Sequence, residues 1–190
     1  MRTIKVFNNV SLDGYFTDAH GDMSWAHRSD DPEWLEFSSA NAEGGGELLF
    51  GRITYDLMVA FWPTPEAKQT MPIVAEGMNN SPKVVFSRTL DAATWNNTRL
   101  VSTDPVDEVE RMKQEPGRDM VIMGSGTIVS QLAEARLIDS YQFVLTPLVL
   151  GAGRTLFEGV TSKLDLTLVD ERRFANGNVV LWYEPTGAKA

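Results

Sequence analysis

The sequence contains no cysteine, which excludes disulfide cross-links, thiolate metal sites and a cysteine nucleophile. Histidine is nearly absent. His20 and His27 are the only two, and their spacing does not match a metal-binding pair, so no metal is expected. Both stand in a polar stretch and read as solvated surface, a proton relay being the other reading. No apolar run approaches the ~18 residues that a membrane span needs. The N-terminal stretch reaches Asn8-Asn9 too early for a signal peptide, and a cytoplasmic protein is the expectation. Basic residues are also few. Lys and Arg total 17 against 26 Asp and Glu, a net charge of −9, and no Lys/Arg cluster offers counterion release to a nucleic acid. Neither nucleic acid nor membrane is therefore an expected partner. An acidic chain can still hold a small polyanion where a few arginines and main-chain N–H groups converge in one cleft.

The chain has the composition of an ordinary globular protein, 43% hydrophobic and 23% charged over 190 residues. We expect one domain over residues 1–185 and a disordered tail over 186–190. Residues 3–10 read as an opening strand and 15–30 as loop. Asp30-Asp31-Pro32-Glu33 starts a helix, with Asp as cap, Pro in the first turn and Glu at the positive dipole end. Short apolar strands follow at 47–50, 83–87, 98–102 and 119–123, and another covers 140–146. Helical patterns separate them: one past Gly51, an excursion over 66–80, an amphipathic stretch over 105–115 with a solvated acidic face, and one over 127–135. Asn176-Gly177-Asn178 between two alternating stretches reads as a hairpin turn. The pattern predicts an α/β fold with a mainly parallel central sheet flanked by helices and closed by a C-terminal antiparallel hairpin.

Open sheets of this kind bind ligands at the carboxyl ends of their strands, and three strand ends carry suitable chemistry. At Gly51-Arg52-Ile53-Thr54 a strand turns into a helix. First-turn N–H groups, the Thr54 hydroxyl and the Arg52 guanidinium can converge there on one phosphate, and an ordinary turn with an exposed arginine is the alternative. Gly124-Ser125-Gly126-Thr127 follows a hydrophobic strand. Its glycines let the backbone approach a diphosphate, although Val129 stands where the third glycine of a Rossmann fingerprint belongs; a tight turn without ligand is equally open. Ser87-Arg88-Thr89 closes a third strand and suits a monoester such as a 2′-phosphate. Singly these are weak, but their order suits one extended polyphosphate.

In this order the motifs resemble the dihydrofolate-reductase fold, and within it the C-terminal reductase domain of the bifunctional riboflavin-biosynthesis protein RibD. The resemblance spans about Ile4 to Tyr183. It is carried by Ser11-Leu12-Asp13-Gly14, Gly51-Arg52-Ile53-Thr54, Ser87-Arg88, Met123-Gly124-Ser125-Gly126 and Leu150-Gly151-Ala152-Gly153-Arg154-Thr155-Leu156-Phe157. It implies NADPH as cofactor, with Arg52, Thr54, Ser87 and Arg88 at its phosphates and Gly124 to Thr127 at its diphosphate. Asn9, Gly14 and Phe16 would lie beside the nicotinamide on a mobile closing loop. It implies hydride transfer to a small heterocycle, as in 5-amino-6-(5-phosphoribosylamino)uracil reduction, and often a homodimer.

On the substrate side, Asp31-Pro32-Glu33-Trp34 resembles the acid-bearing helix start of dihydrofolate reductases, with Trp25 at the loop tryptophan. Asp31 is the candidate catalytic acid, while capping alone would select the same residue. The RibD reductase carries an acid shortly after its counterpart of Thr54, where this chain has Met58 and Val59. That departure keeps two alternatives open, a dihydrofolate or pterin reductase and a non-catalytic NADP(H)- or nucleotide-binding module. No Cys/His zinc signature of a deaminase occurs. Phe61 and Trp62 read as core or as the roof of a cleft, and Asp13 as the organiser of its own turn, contact with substrate being the other reading.

Overall fold

The computed structural model describes residues 1–26 and 31–187; His27 and Asp30, and the last three residues of the expected tail, lie outside these. Along the chain run β1 (Ile4–Ser11), β2 (Thr17–Asp18), a 3-10 turn (Ser24–Ala26), α1 (Pro32–Glu43), β3 (Glu47–Gly51) and α2 (Arg52–Phe61). Then come α3 (Pro65–Thr70), α4 (Pro72–Asn80), β4 (Lys83–Phe86), β5 (Thr98–Val101), α5 (Pro105–Gln114), β6 (Met120–Met123) and α6 (Gly126–Glu134). The chain ends with β7 (Ser140–Thr146), β8 (Gly153–Arg154), β9 (Leu166–Arg173) and β10 (Val179–Pro185). Proline punctuates the helices as its fixed φ allows. Pro32, Pro65, Pro72 and Pro105 all stand in first turns, and Asp31, Thr64 and Asp104 cap three of those four helices with their side chains.

Eight strands form one sheet in the order β5-β4-β3-β6-β1-β7-β10-β9. The pairs from β5 to β7 are parallel, and β10 pairs antiparallel with both β7 and β9. The expected architecture is therefore the observed one, a mostly parallel sheet with helices on both faces and an antiparallel hairpin at one edge. Ile4 and Val6 of β1, with Met120 and Ile122 of β6, pack against α5 and α6 through Val109, Met112, Val129 and Leu132. On the opposite face Leu48, Phe50 and Val85 pack with Tyr55, Met78 and Trp95, and Val144 and Val180 pack with Trp34 of α1 and Phe174. Burial on both faces explains why β4 reads as an unbroken apolar run after Lys83.

Two expectations change. The stretch 15–30, read as loop, contains β2, which pairs antiparallel with β8 across 137 residues, Thr17 opposite Arg154. Two-residue strands owe their existence to the partner, so no local periodicity announces them. Thr186, placed in the tail, donates its N–H to the Asp165 carbonyl at 2.8 Å.

Candidate functional site

Because β3, β4, β6 and β1 are parallel neighbours, their carboxyl ends share one edge of the sheet. The pairing Leu49↔Ile122 brings Gly51 alongside Gly124 two residues on, Phe7↔Met123 sets Asn8 beside that same turn, and Gly51↔Phe86 puts Ser87 next to Arg52. The three motifs thus meet along one strip.

Two of them are laced together. The Ser125 N–H donates to the Thr54 hydroxyl at 3.0 Å, and the Gly51 N–H donates to the Ser125 hydroxyl at 2.9 Å. This reciprocal pair sustains an unusual backbone. Gly124 and Ser125 are consecutive left-handed residues, with φ of +60° and +57°, and the second is costly for a residue bearing a Cβ. A side chain at Gly124 would also come within 3.0 Å of the Thr54 methyl. Gly126 is small for another reason: a Cβ there would stand 2.8 Å from the Phe16 ring. Its missing side chain is thus filled by Phe16, which is buried in the core.

Helices α1, α2, α5 and α6 all begin at this edge, and they begin differently. Asp31 and Asp104 accept the first-turn N–H groups of α1 and α5. Neither α2, which follows Gly51, nor α6, which follows Ser125, has a side-chain cap. Their first-turn donors and positive dipole ends remain available, the arrangement that suits a polyanion. Arg52 lies half-exposed at the start of α2 and pairs with Asp56 at 2.8 Å. Arg88 is exposed in the turn after β4. The Ser87 hydroxyl accepts from the N–H groups of Thr89 at 3.2 Å and Leu90 at 3.0 Å, so it organises the turn that carries Arg88.

Along β1 the side chains alternate as far as Asn8, and Asn8 and Ser11 are its buried polar residues. Asn8 is buried and its Nδ2 donates to the Gly124 carbonyl at 3.4 Å. This contact was missed at the sequence level, although an asparagine in phase with Ile4 and Val6 was its signal. The Oδ1 atoms of both Asn8 and Asn9 are buried without a hydrogen-bond partner among the described residues. Gly14 is exposed in the following turn, and His20 is exposed.

Asp31 is fully engaged. One carboxylate oxygen accepts from the N–H groups of Glu33 at 3.0 Å and Trp34 at 3.3 Å, and the other accepts from Asn176 at 3.0 Å. Burial pushes the carboxyl up, but the main-chain donors of Asn176, Trp34, Glu33 and Ala175 outweigh it and hold it below its ordinary range. In that state the group accepts hydrogen bonds and clamps α1 to the β9–β10 turn. Nearby, the side chains of Thr146, Asn176 and Asn178 bury polar atoms without partners among the described residues. Met58 and Val59 pack on the apolar cluster beside Tyr55, and Trp62 joins them there, as the core reading of Trp62 has it. Asp13 keeps its local role, accepting from the Ser11 hydroxyl at 2.6 Å, and also reaches Leu150 and Gly151, far along the chain.

The family of the RibD C-terminal domain matches residues 2–180. The uncharacterized protein YyaP of Bacillus subtilis (strain 168) is 27% identical over 178 residues, covering 94% of this chain and 92% of YyaP. Among solved structures, the putative riboflavin biosynthesis protein of Shewanella sp. PV-4 has a TM-score of 0.77 at 23% identity, over 97% of this chain and 99% of that one. The Thermotoga maritima diaminohydroxyphosphoribosylaminopyrimidine deaminase/5-amino-6-(5-phosphoribosylamino)uracil reductase has a TM-score of 0.66 at 15% identity, over 97% of this chain but 56% of that longer one. Dihydrofolate reductase of Enterococcus faecalis, solved with NADP(H), has a TM-score of 0.59 at 16% identity, over 97% and 96% of the two chains. At these identities the structural likenesses establish a shared fold, and the sequence match establishes kinship. The chain belongs to the RibD C-terminal domain family.

Proposed function

We propose that this protein is an NADPH-dependent reductase of the riboflavin-biosynthesis type, acting on a small heterocycle such as a ribosylamino-uracil. The observation that carries the reading is the pair of uncapped helix starts, α2 after Gly51 and α6 after Ser125, laced side by side at neighbouring strand ends. The donor set fits a dinucleotide phosphate in kind. The N–H groups of Gly126 and Thr127 face the diphosphate, Arg52 and the Thr54 hydroxyl add donors, and Arg88, on the turn held by Ser87, meets the 2′-phosphate. Asn9, Gly14 and Phe16 form the nicotinamide side. NADPH, when bound, supplies the hydride; the chain binds, orients and excludes water.

Titration with NADPH and NADH, read by nicotinamide fluorescence, tests this. Micromolar NADPH binding with much weaker NADH binding is expected. Arg88→Ala should weaken NADPH about tenfold or more, the scale of one charge-assisted contact, with little change for NADH; equal losses for both would end the 2′-phosphate assignment. The homodimer belongs to the same reading. It is supported by β9, an eight-residue edge strand exposing Leu168 and Val169, and light scattering reads it directly.

A pterin or dihydrofolate substrate would ask Asp31 to hold the ring and assist protonation, and its oxygens are occupied by main-chain donors. Asp31→Asn decides: loss of turnover with intact NADPH affinity supports catalysis by Asp31, and unchanged turnover removes it from the mechanism. Apolar Met58 and Val59 favour the non-catalytic alternative, which predicts NADPH binding without turnover across pyrimidine and pterin candidates.

A further inference from the structure

We infer that Asp13 is a positioning residue for the cofactor site: its carboxylate fastens the segment after β1 to the main chain after β7, and so holds Phe16 against the turn that starts α6. The inference rests on the NADPH reading above for what that turn binds.

An aspartate serving only its own turn would take an N–H about two residues on. Here the bonds that close the local turn are main-chain ones and those of the Ser11 hydroxyl: Gly14 N–H donates to the Ser11 carbonyl at 3.0 Å, Ser11 N–H to the Tyr15 carbonyl at 2.8 Å, and Tyr15 N–H to the Ser11 hydroxyl at 3.0 Å. The carboxylate holds that hydroxyl and also reaches beyond the turn. Its Oδ2 accepts from the Gly151 N–H at 2.7 Å, and its Oδ1 accepts from the Leu150 N–H at 3.1 Å and from the Ser11 hydroxyl at 2.6 Å. No cation pairs with Asp13 among the described residues, so what it provides is a main-chain tether.

A second fastening lies a few residues on. Phe16 N–H donates to the Arg154 carbonyl at 2.9 Å, and β2 pairs with β8. A Cβ at Gly153 would stand 2.0 Å from the Thr17 carbonyl oxygen, so the two backbones touch where any side chain would part them. Between the fastenings sits Phe16, 5% exposed, its ring occupying the space beside Gly126. Gly126 and Thr127 open α6. Any shift of 11–18 therefore moves the ring that supports the uncapped helix start, and the Asp13 carboxylate opposes it together with the Leu12 N–H, which donates to the Leu148 carbonyl at 2.9 Å, and the β2–β8 pair.

The test is Asp13→Asn, which keeps the size and replaces one acceptor with an amide that faces another N–H. Amide exchange in 11–18 and 148–154 should quicken together, and NADPH dissociation should accelerate, each roughly tenfold on the scale of a lost charged hydrogen bond. The association rate should stay near wild type, and the melting temperature should fall by only roughly 3–6 °C, the shift that a tenfold loss makes in a chain of this size. Faster exchange in only one segment, or an unchanged dissociation rate in a variant that binds NADPH, overturns the positioning role alone. Wild-type protein that binds no NADPH overturns the cofactor reading and this role with it, whatever the exchange shows.

Discussion

Replacing Thr54 with valine removes a hydroxyl while keeping the shape of the side chain. In the folded protein that hydroxyl accepts the N–H of Ser125 at 3.0 Å, and Ser125 is 7% exposed in a left-handed conformation. Valine leaves the N–H without an acceptor in a place water reaches poorly, at a cost of about 1–2 kcal/mol. For a chain of 190 residues, each kcal/mol lowers the melting temperature by roughly 2–4 °C, so a fall of about 2–8 °C is expected. Thr54→Ser keeps the acceptor and should lose less. Thermal unfolding without nucleotide reads the brace by itself. The same melts at saturating NADPH read the second task, because the Thr54 hydroxyl retains its own hydrogen to donate. Ligand at about 100 times Kd adds roughly 2.7 kcal/mol, and a smaller gain in Thr54→Val than in wild type shows a lost phosphate contact. Thr54→Val melting within a degree of wild type, or Thr54→Ser falling equally far, would refute the brace.

Two titratable groups outside the site give further expectations. Glu134 accepts from the main chain and hydroxyls of Thr161 and Ser162, bonds led by the Thr161 hydroxyl that hold its carboxyl at about 2 against an ordinary 4.5. Because the folded value is depressed, its stabilisation is complete above pH 4.5 and is lost as pH falls through about 2. Glu134→Gln should thus be less stable than wild type in urea at pH 6 and converge with it toward pH 2; a constant gap would refute this. Lys83 donates to the carbonyls of Ser81, Asn79 and Asn96 beneath Trp95, and burial pushes its ammonium down from 10.5 to about 8. Between those values the unfolded chain binds more protons, so wild-type stability should rise with pH relative to Lys83→Met, by about 3 kcal/mol at most at ~1.4 kcal/mol per unit. Parallel stability curves would refute it.

Much of the fold was legible because its signals are local. Asp31-Pro32 and Asp104-Pro105 each start a helix, the aspartate capping and the proline filling the first turn, and apolar runs such as Val84-Val85-Phe86 form strands when both faces are covered. Gly51 and Gly124 marked the strand-to-helix turns for the same reason. The roles of single side chains were less legible. The sequence points to the Thr54 hydroxyl and to the backbone around Ser125 as phosphate donors, and in the fold each of the two hydroxyls also accepts a main-chain N–H from the other's turn. Gly126 was chosen as open backbone, and Phe16 fills the opening.

By itself, then, the sequence determined the element types, their order and the three strand ends that carry arginine, hydroxyl and glycine, because capping, periodicity and turn chemistry act over a few residues. Only the tertiary structure decided which of those ends stand side by side and what their side chains touch. The Thr54–Ser125 bond joins residues 71 apart, Asp13 and Gly151 are 138 apart, and Asp31 and Asn176 are 145 apart. Such pairs follow from the strand order, with β1 set between β6 and β7. That order is chosen by the burial of the whole sheet, and no local stretch encodes it.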